Sequence, residues 1–175
     1  AVRKNDHWII NGSKIFITNG AEADVVLFVA QTDKSKGIAG LASFLVEKGT
    51  PGFTSTLQRG RISWRGGSEA VLRFSDCKIP LENQVSPAGR GLRDALRGID
   101  TARLFLAAGA VGMSQCCLEA SIKYAKERVQ FGKPIGGHQL IQGIIAEMAA
   151  RIEAARWLTY YVAAVSYTHL RAHET

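Results

Sequence analysis

Residues 8–20 read Trp8-Ile9-Ile10-Asn11-Gly12-Ser13-Lys14-Ile15-Phe16-Ile17-Thr18-Asn19-Gly20, and this stretch sets the fold class of the first half of the chain. Trp8-Ile9-Ile10 is a short β-forming run. Asn11-Gly12 is a two-residue turn signal, because both residue types tolerate positive φ. Lys14 to Thr18 then reads as a second strand, closed by Asn19-Gly20. Further on, Val25-Val26-Leu27-Phe28-Val29-Ala30 is a continuous apolar run of strand length, the pattern of a buried central strand. A loop over Thr32 to Gly40 precedes a strand around Ala42 to Val46, and Lys48-Gly49-Thr50-Pro51-Gly52 is a turn cluster. Ala70, Leu72 and Phe74 alternate with Val71 and Arg73, which predicts a strand buried on one face. Several short strands at this spacing predict a small β-barrel or sandwich over residues 1–85.

The texture changes after Pro80. Ser86-Pro87-Ala88-Gly89 is a linker signal, and beyond it Pro is rare while Ala dominates. Leu104, Ala108, Val111, Leu118, Ile122 and Ala125 fall on one helical stripe, interrupted by Gln115. Ile141, Ile145, Met148, Ile152, Ala155, Thr159 and Val162 repeat at alternating steps of four and three, a bundle-packing stripe. Phe131-Gly132-Lys133-Pro134 separates the two, and Gly136-Gly137 prepares the second. The fold class is therefore α+β: a β-domain over 1–85, then two long antiparallel helices over 86–165. Two such helices leave apolar surface that needs further partners. Residues 166–175 break the Ala-rich stripe abruptly and read as a non-native tail of translated sequencing-adaptor or vector sequence, the alternative being a polar end to the helix.

The chain has 175 residues, 46% hydrophobic and 21% charged, an ordinary globular composition. No uninterrupted run of about eighteen apolar residues is present, so no membrane span is expected. No signal-peptide core follows the first residues. Lys and Arg number 22 against 15 Asp and Glu, for a net charge of +7. Such an excess attracts nucleic acid, an anionic membrane or a polyanionic small molecule. Residues 1–85 hold eleven basic and eight acidic groups, and residues 86–175 eleven and seven, so no basic block marks a nucleic-acid binder. Cys77, Cys116 and Cys117 have no metal-ligand spacing, and an odd number of thiols fits a reducing compartment. No metal site, Ser-His-Asp grouping or phosphate-binding Gly-rich loop is expected.

Taken in order, several segments resemble the acyl-CoA dehydrogenase family. Asn11-Gly12-x-Lys14-Ile15-x-Ile17-Thr18-Asn19-Gly20 is similar to its Asn-Gly-x-Lys-x-Trp-Ile-Thr-Asn-Gly segment. Phe44-Leu45-Val46-Glu47-Lys48 with Pro51-Gly52-Phe53, then Phe74-Ser75-Asp76 with Ile79-Pro80 and Asn83, resemble later parts of its middle domain. Asp100-x-x-Arg103, Ala107-Ala108-Gly109-x-x-Gly112 and Tyr124-Ala125-x-x-Arg128-x-x-Phe131-Gly132-Lys133-Pro134-Ile135 with Gln139 resemble the start of its C-terminal helical domain.

The resemblance implies a middle β-domain and the first two helices of a four-helix bundle, under half of a full subunit, with further segments on both sides. It implies FAD as cofactor and α,β-dehydrogenation of an acyl-CoA thioester to a trans-2-enoyl-CoA, with electrons passed to an electron-transfer flavoprotein. It also implies a homodimer or homotetramer, cytoplasmic in a bacterium or in the mitochondrial matrix of a eukaryote. Phe16, Ile17 and Thr18 match the triplet along the flavin ring, with Phe16 in place of the usual Trp. Arg128 matches the arginine on the FAD pyrophosphate of a neighbouring subunit. Gln130, Phe131, His138 and Gln139 match positions beside that nucleotide. Asp100 and Arg103 match positions lining the acyl-CoA channel. One branch of the family carries its catalytic glutamate where this chain has Ala102, so the base is expected in a segment C-terminal to these residues and the chain alone is expected to be inactive. Gly67 and Glu69 replace a Ser and a Thr common in the family, while Arg65 matches. A flavin-dependent monooxygenase or oxidase on the same scaffold, and a non-catalytic nucleic-acid-binding member, are the alternatives.

Overall fold

The computed structural model describes the backbone of residues 1–172 and the side chains of residues 1–166. The chain divides into two compact units, Ala1–Gly98 and Ile99–Thr175. Of the expected tail 166–175, the backbone continues helical through Ala172; its side chains beyond 166 and its last three residues lie outside the described residues.

The first unit contains two antiparallel sheets. One has strand order β1-β2-β6-β5, from β1 (Val2–Arg3), β2 (His7–Thr18), β5 (Phe53–Leu57) and β6 (Glu69–Pro80). The other has order β3-β4-β7, from β3 (Val25–Gln31), β4 (Leu41–Glu47) and β7 (Gln84–Ser86). Their inner faces meet through rings: Phe28 and Phe74 lie 4.6 Å apart between centroids, Trp8 and Phe44 5.2 Å. Phe44, Val46, Leu72, Cys77 and Ile79 are fully enclosed, so the core sits between the sheets as in a sandwich.

Two β-bulges set which residues face that core. Between the pairs Ile10↔Cys77 and Gly12↔Phe74, one residue of β2 opposes two of β6. Asn11 therefore stands inside a continuous strand, and the hairpin turn expected at Asn11-Gly12 is not formed. The partner strand runs the full length of β2, and the Asn11 side chain pairs with the bulge instead. Its Nδ2 donates to Asp76 Oδ1 at 3.0 Å, and its Oδ1 accepts from the Asp76 N–H at 2.8 Å. Asp76 takes up a positive φ of 48°. The extra residue shifts the parity of β6, so Ala70, Leu72 and Phe74 point inward and then Cys77 and Ile79 do so.

The apolar run 25–30 is an edge strand, not the buried central strand expected from its composition. It alternates, with Val26 and Phe28 buried and Leu27 61% exposed. The central, more deeply buried strand of that sheet is β4, where Ala42, Ser43, Phe44 and Val46 are all buried. The Lys48–Gly52 turn ends at Gly52, whose φ of 84° and close approach to the Ser75 carbonyl leave no room for a side chain.

Two long helices account for most of the rest: α1 (Gly91–Glu127) and α2 (Gln139–Ala172). Neither contains Pro, and both are Ala-rich, so propensity and length agree. Within the second unit, Leu118, Ala125 and Ile152 of the expected stripes are buried and Leu104, Val111, Ile122, Ile141, Ile145, Met148 and Thr159 half-buried, while Ala108, Ala155 and Val162 are exposed. Gln115, the polar interruption, has a partner: Arg156 Nη2 donates to its Oε1 at 2.8 Å. By length and composition α1 is apolar enough to cross a membrane, with a window of mean hydropathy 1.3. The expectation drawn from uninterrupted runs missed this, because Gly112, Ser114 and Gln115 break the run while Ala, Val and Cys sustain the average.

Candidate functional site

The end of β2 is shaped by the second bulge. Between Lys14↔Leu72 and Ile17↔Ala70, two residues of β2, Ile15 and Phe16, oppose one of β6. Lys14 lies on the core side and donates Nζ to the Val29 carbonyl at 2.8 Å. Ile17 packs against the core. Phe16, which simple alternation from Ile10 through Gly12 and Lys14 would send inward, is turned out instead, with φ 59° and 63% of its surface exposed. A left-handed backbone costs a residue with a Cβ about 1–2 kcal/mol. Asn19 is also left-handed, its N–H on Ser68 O at 3.0 Å, and Ser55 Oγ holds the Gly20 carbonyl at 2.6 Å. Thr18 is thus an exposed hydroxyl at a firmly tied strand end, next to an exposed aromatic ring.

A second cluster lies in the other unit, where α1 gives way to a tight hairpin of β8 (Val129–Gln130) and β9 (Lys133–Pro134). Phe131 and Gly132, both at positive φ (54° and 76°), form its two-residue turn, the backbone signature of a type I′ turn. Read alone, Phe131 is a buried aromatic; in the structure it is 93% exposed at the hairpin tip, its ring edge-on to that of His138 at 6.1 Å. His138 Nε2 lies 3.3 Å from the Gln130 carbonyl, and the His138 carbonyl accepts from the Gln142 N–H at the start of α2. Arg128 is tied through its backbone to Tyr124 and Ile135, each at 2.8 Å, while its guanidinium is exposed and has no carboxylate partner among the described residues. Gln139 is exposed in the first turn of α2, which carries no acidic residue. Lys133, which sequence reasoning passed over, donates Nζ to the Gly137 carbonyl at 2.8 Å.

Asp100 and Arg103 form an exposed ion pair at 3.7 Å on α1. They rim a groove of about 480 Å³ whose walls include Leu104, Ala107, Leu158 and Val162. Ala102 places no carboxylate beside them. The candidate residues thus gather into three groups: Phe16 to Thr18 on one strand end, Arg128 to Gln139 around one hairpin, and Asp100 with Arg103 on one helix.

The two clusters suit different chemistries. An exposed ring beside a hydroxyl suits the face and polar edge of a planar heterocycle. An unpaired guanidinium beside a helix start free of carboxylates suits phosphate oxygens.

The sequence model described as acyl-CoA dehydrogenase, middle domain, matches residues 1–77, and that described as acyl-CoA dehydrogenase, C-terminal domain, matches residues 89–172. A glutaryl-CoA dehydrogenase of Desulfococcus multivorans is 45% identical over 163 residues, covering 92% of this chain and 41% of its own length. A cyclohex-1-ene-1-carbonyl-CoA dehydrogenase of Geobacter metallireducens is 42% identical over 159 residues, 91% of this chain and 42% of its own. The solved glutaryl-CoA dehydrogenase in complex with glutaryl-CoA superposes with a TM-score of 0.89 at 42% identity, over 94% of this chain and 42% of that one. The prolyl acyl carrier protein oxidase AnaB also superposes at 0.89, with 35% identity over 93% of this chain and 43% of its own. The chain therefore spans about two fifths of the length of the relatives it matches.

Proposed function

The chain belongs to the acyl-CoA dehydrogenase family, and on that premise we propose that it is part of a FAD-dependent enzyme that dehydrogenates an acyl-CoA thioester between its α and β carbons. The observation that carries the proposal is the pair of family matches, in family order, over residues 1–77 and 89–172. Both clusters fit the cofactor chemically. Phe16 covers a ring face and excludes water from it, and Thr18 offers a hydroxyl and strand-end backbone groups to the ring's polar edge. Losing the usual Trp at position 16 removes an indole donor and keeps the packing surface. Arg128 holds the pyrophosphate of a flavin belonging to a neighbouring polypeptide, a charge-assisted contact worth about 1.5–3 kcal/mol. Gln130, Phe131, His138 and Gln139 line the nucleotide end. FAD, when bound, supplies the hydride acceptor.

Asp100 and Arg103 line the channel for the CoA portion of the substrate. With Ala102 between them, the general base comes from a segment C-terminal to these helices. The 175 residues alone therefore lack dehydrogenase activity, since a missing base costs about 10²–10⁴ in rate. The complete protein is a homodimer or homotetramer that delivers electrons to an electron-transfer flavoprotein, in the cytoplasm of a bacterium or the mitochondrial matrix. Expressed within its complete reading frame, it is expected to purify with flavin and to reduce an electron-transfer flavoprotein on addition of glutaryl-CoA or a short-chain acyl-CoA. Purification without flavin refutes the proposal.

A second reading is favoured by the equal TM-score of the prolyl acyl carrier protein oxidase AnaB. Turnover with oxygen and release of peroxide, with no reduction of electron-transfer flavoprotein, would select it.

A further inference from the structure

The loop joining β5 to β6, residues 58–68, carries Arg59, Arg61 and Arg65 and no acidic residue. With Asn19, Glu22 and Leu57 it lines an open cleft of about 580 Å³, within the size range of small-ligand sites. The three arginines differ in state. Arg61 is anchored, its Nη2 3.4 Å from Glu69 and its Nη1 donating to the Gly67 carbonyl at 3.0 Å. Arg59 and Arg65 are exposed and have no carboxylate partner among the described residues. Glu22 is the sole carboxylate among the lining residues, and it accepts the Ser68 hydroxyl at 2.5 Å.

The loop is also held in shape. Gln58 N–H meets Glu69 O at 2.7 Å, Gly67 N–H meets Trp64 O at 3.1 Å, and Trp64 is fixed at a φ of 54°. Two free guanidiniums thus stand on a tied loop around one cleft, with a third locked between them in sequence. Guanidinium groups present paired donors that match phosphate oxygens. Two of them match two phosphoryl groups better than a single carboxylate.

We propose that this cleft binds the diphosphate group of a small-molecule ligand, with Arg59 and Arg65 as its ligands and Arg61 as the anchor of the loop. The site uses none of the residues assigned above to FAD or acyl-CoA, so it stands or falls independently of that reading.

The test is titration of the chain with inorganic pyrophosphate and with ADP at low salt, by calorimetry and by amide-resolved NMR. Saturable binding is expected, with shifts at Gly60, Gly66 and Gly67. Arg59→Gln and Arg65→Gln should each weaken it about tenfold or more, and added salt should weaken it further. Ile62→Ser, on the same loop and outside the cleft, should leave it unchanged. Tighter binding of ADP identifies a nucleoside diphosphate as the ligand, and equal affinities identify free diphosphate; both support the proposal. Absence of saturation at millimolar ligand overturns it. So does binding abolished by Arg128→Gln, or binding that survives both loop substitutions. Binding of a polyglutamate peptide to the loop that pyrophosphate does not displace would assign the arginines to an acidic protein partner and overturn it as well.

Discussion

Replacing Phe16 by glycine separates a core aromatic from a presented one. The ring is 63% exposed, so roughly a third of its ~200 Å² is covered, about 70 Å². At about 25 cal/mol per Å² that burial contributes about 2 kcal/mol. Against it stands the left-handed backbone at φ 59°, whose cost of about 1–2 kcal/mol glycine removes. Glycine's greater freedom in the unfolded chain costs about 0.5–1 kcal/mol. The sum is a destabilisation of about 0.5–2 kcal/mol, whereas Phe→Ala in a packed core costs about 3–5 kcal/mol. Phe16→Gly should therefore lower the urea midpoint of the chain only modestly, well short of a core deletion, followed by fluorescence of Trp8, which contacts Phe44 in the core. In the complete protein the same change should reduce flavin retention several-fold, because an aromatic stacking partner contributes about 0.5–1.5 kcal/mol. A loss of stability near that of a core deletion would refute the reasoning: the bulge would then not turn this ring away from the core.

Gly52→Ala should destabilise the β-unit by at least about 2 kcal/mol, since the residue sits at φ 84° and a new Cβ would collide with the Ser75 carbonyl; a chemical-denaturation series measures it. Gln115→Leu should lower the stability of the helical unit only slightly, because Arg156 loses the acceptor now held at 2.8 Å and keeps Glu153 at 3.1 Å, read as a small drop in melting temperature by circular dichroism. Burial pushes the Cys77 thiol above its ordinary pKa, so the folded state retains that proton longer than the unfolded chain does. Stability from this group is complete below about pH 8.5 and declines as pH rises toward the folded-state value. In the same structure Cys116 and Cys117 are exposed, so a thiol reagent at neutral pH should modify those two in the native protein and Cys77 only on unfolding.

Much of the candidate site was legible before any fold was known, because the residues proposed to form it are short contiguous segments. Ile17-Thr18-Asn19-Gly20 and Arg128 to Gln139 each keep their members within a few positions, and the structure presents each as one local surface. The arginine-lined cleft of the β5–β6 loop was less visible. Its signal, three arginines within seven residues of one loop, was present, but its meaning depends on which of them Glu69 neutralises. The exposure of Phe131 was missed for a related reason. An aromatic after a helix reads as core, and only the positive φ of a two-residue turn throws it outward.

Composition and periodicity were enough to divide the chain into a strand-rich half and a helical half, since both signals repeat over a few residues and need no distant partner. Which strand is central, and which side chains of β2 and β6 face inward, depended on pairing across the chain. Asn11 finds Asp76 sixty-five positions away, and Gln115 finds Arg156 forty-one away. Each bulge inserts one residue and reverses every side chain beyond it. That choice belongs to the energy of the assembled sheets, which no local stretch of sequence contains.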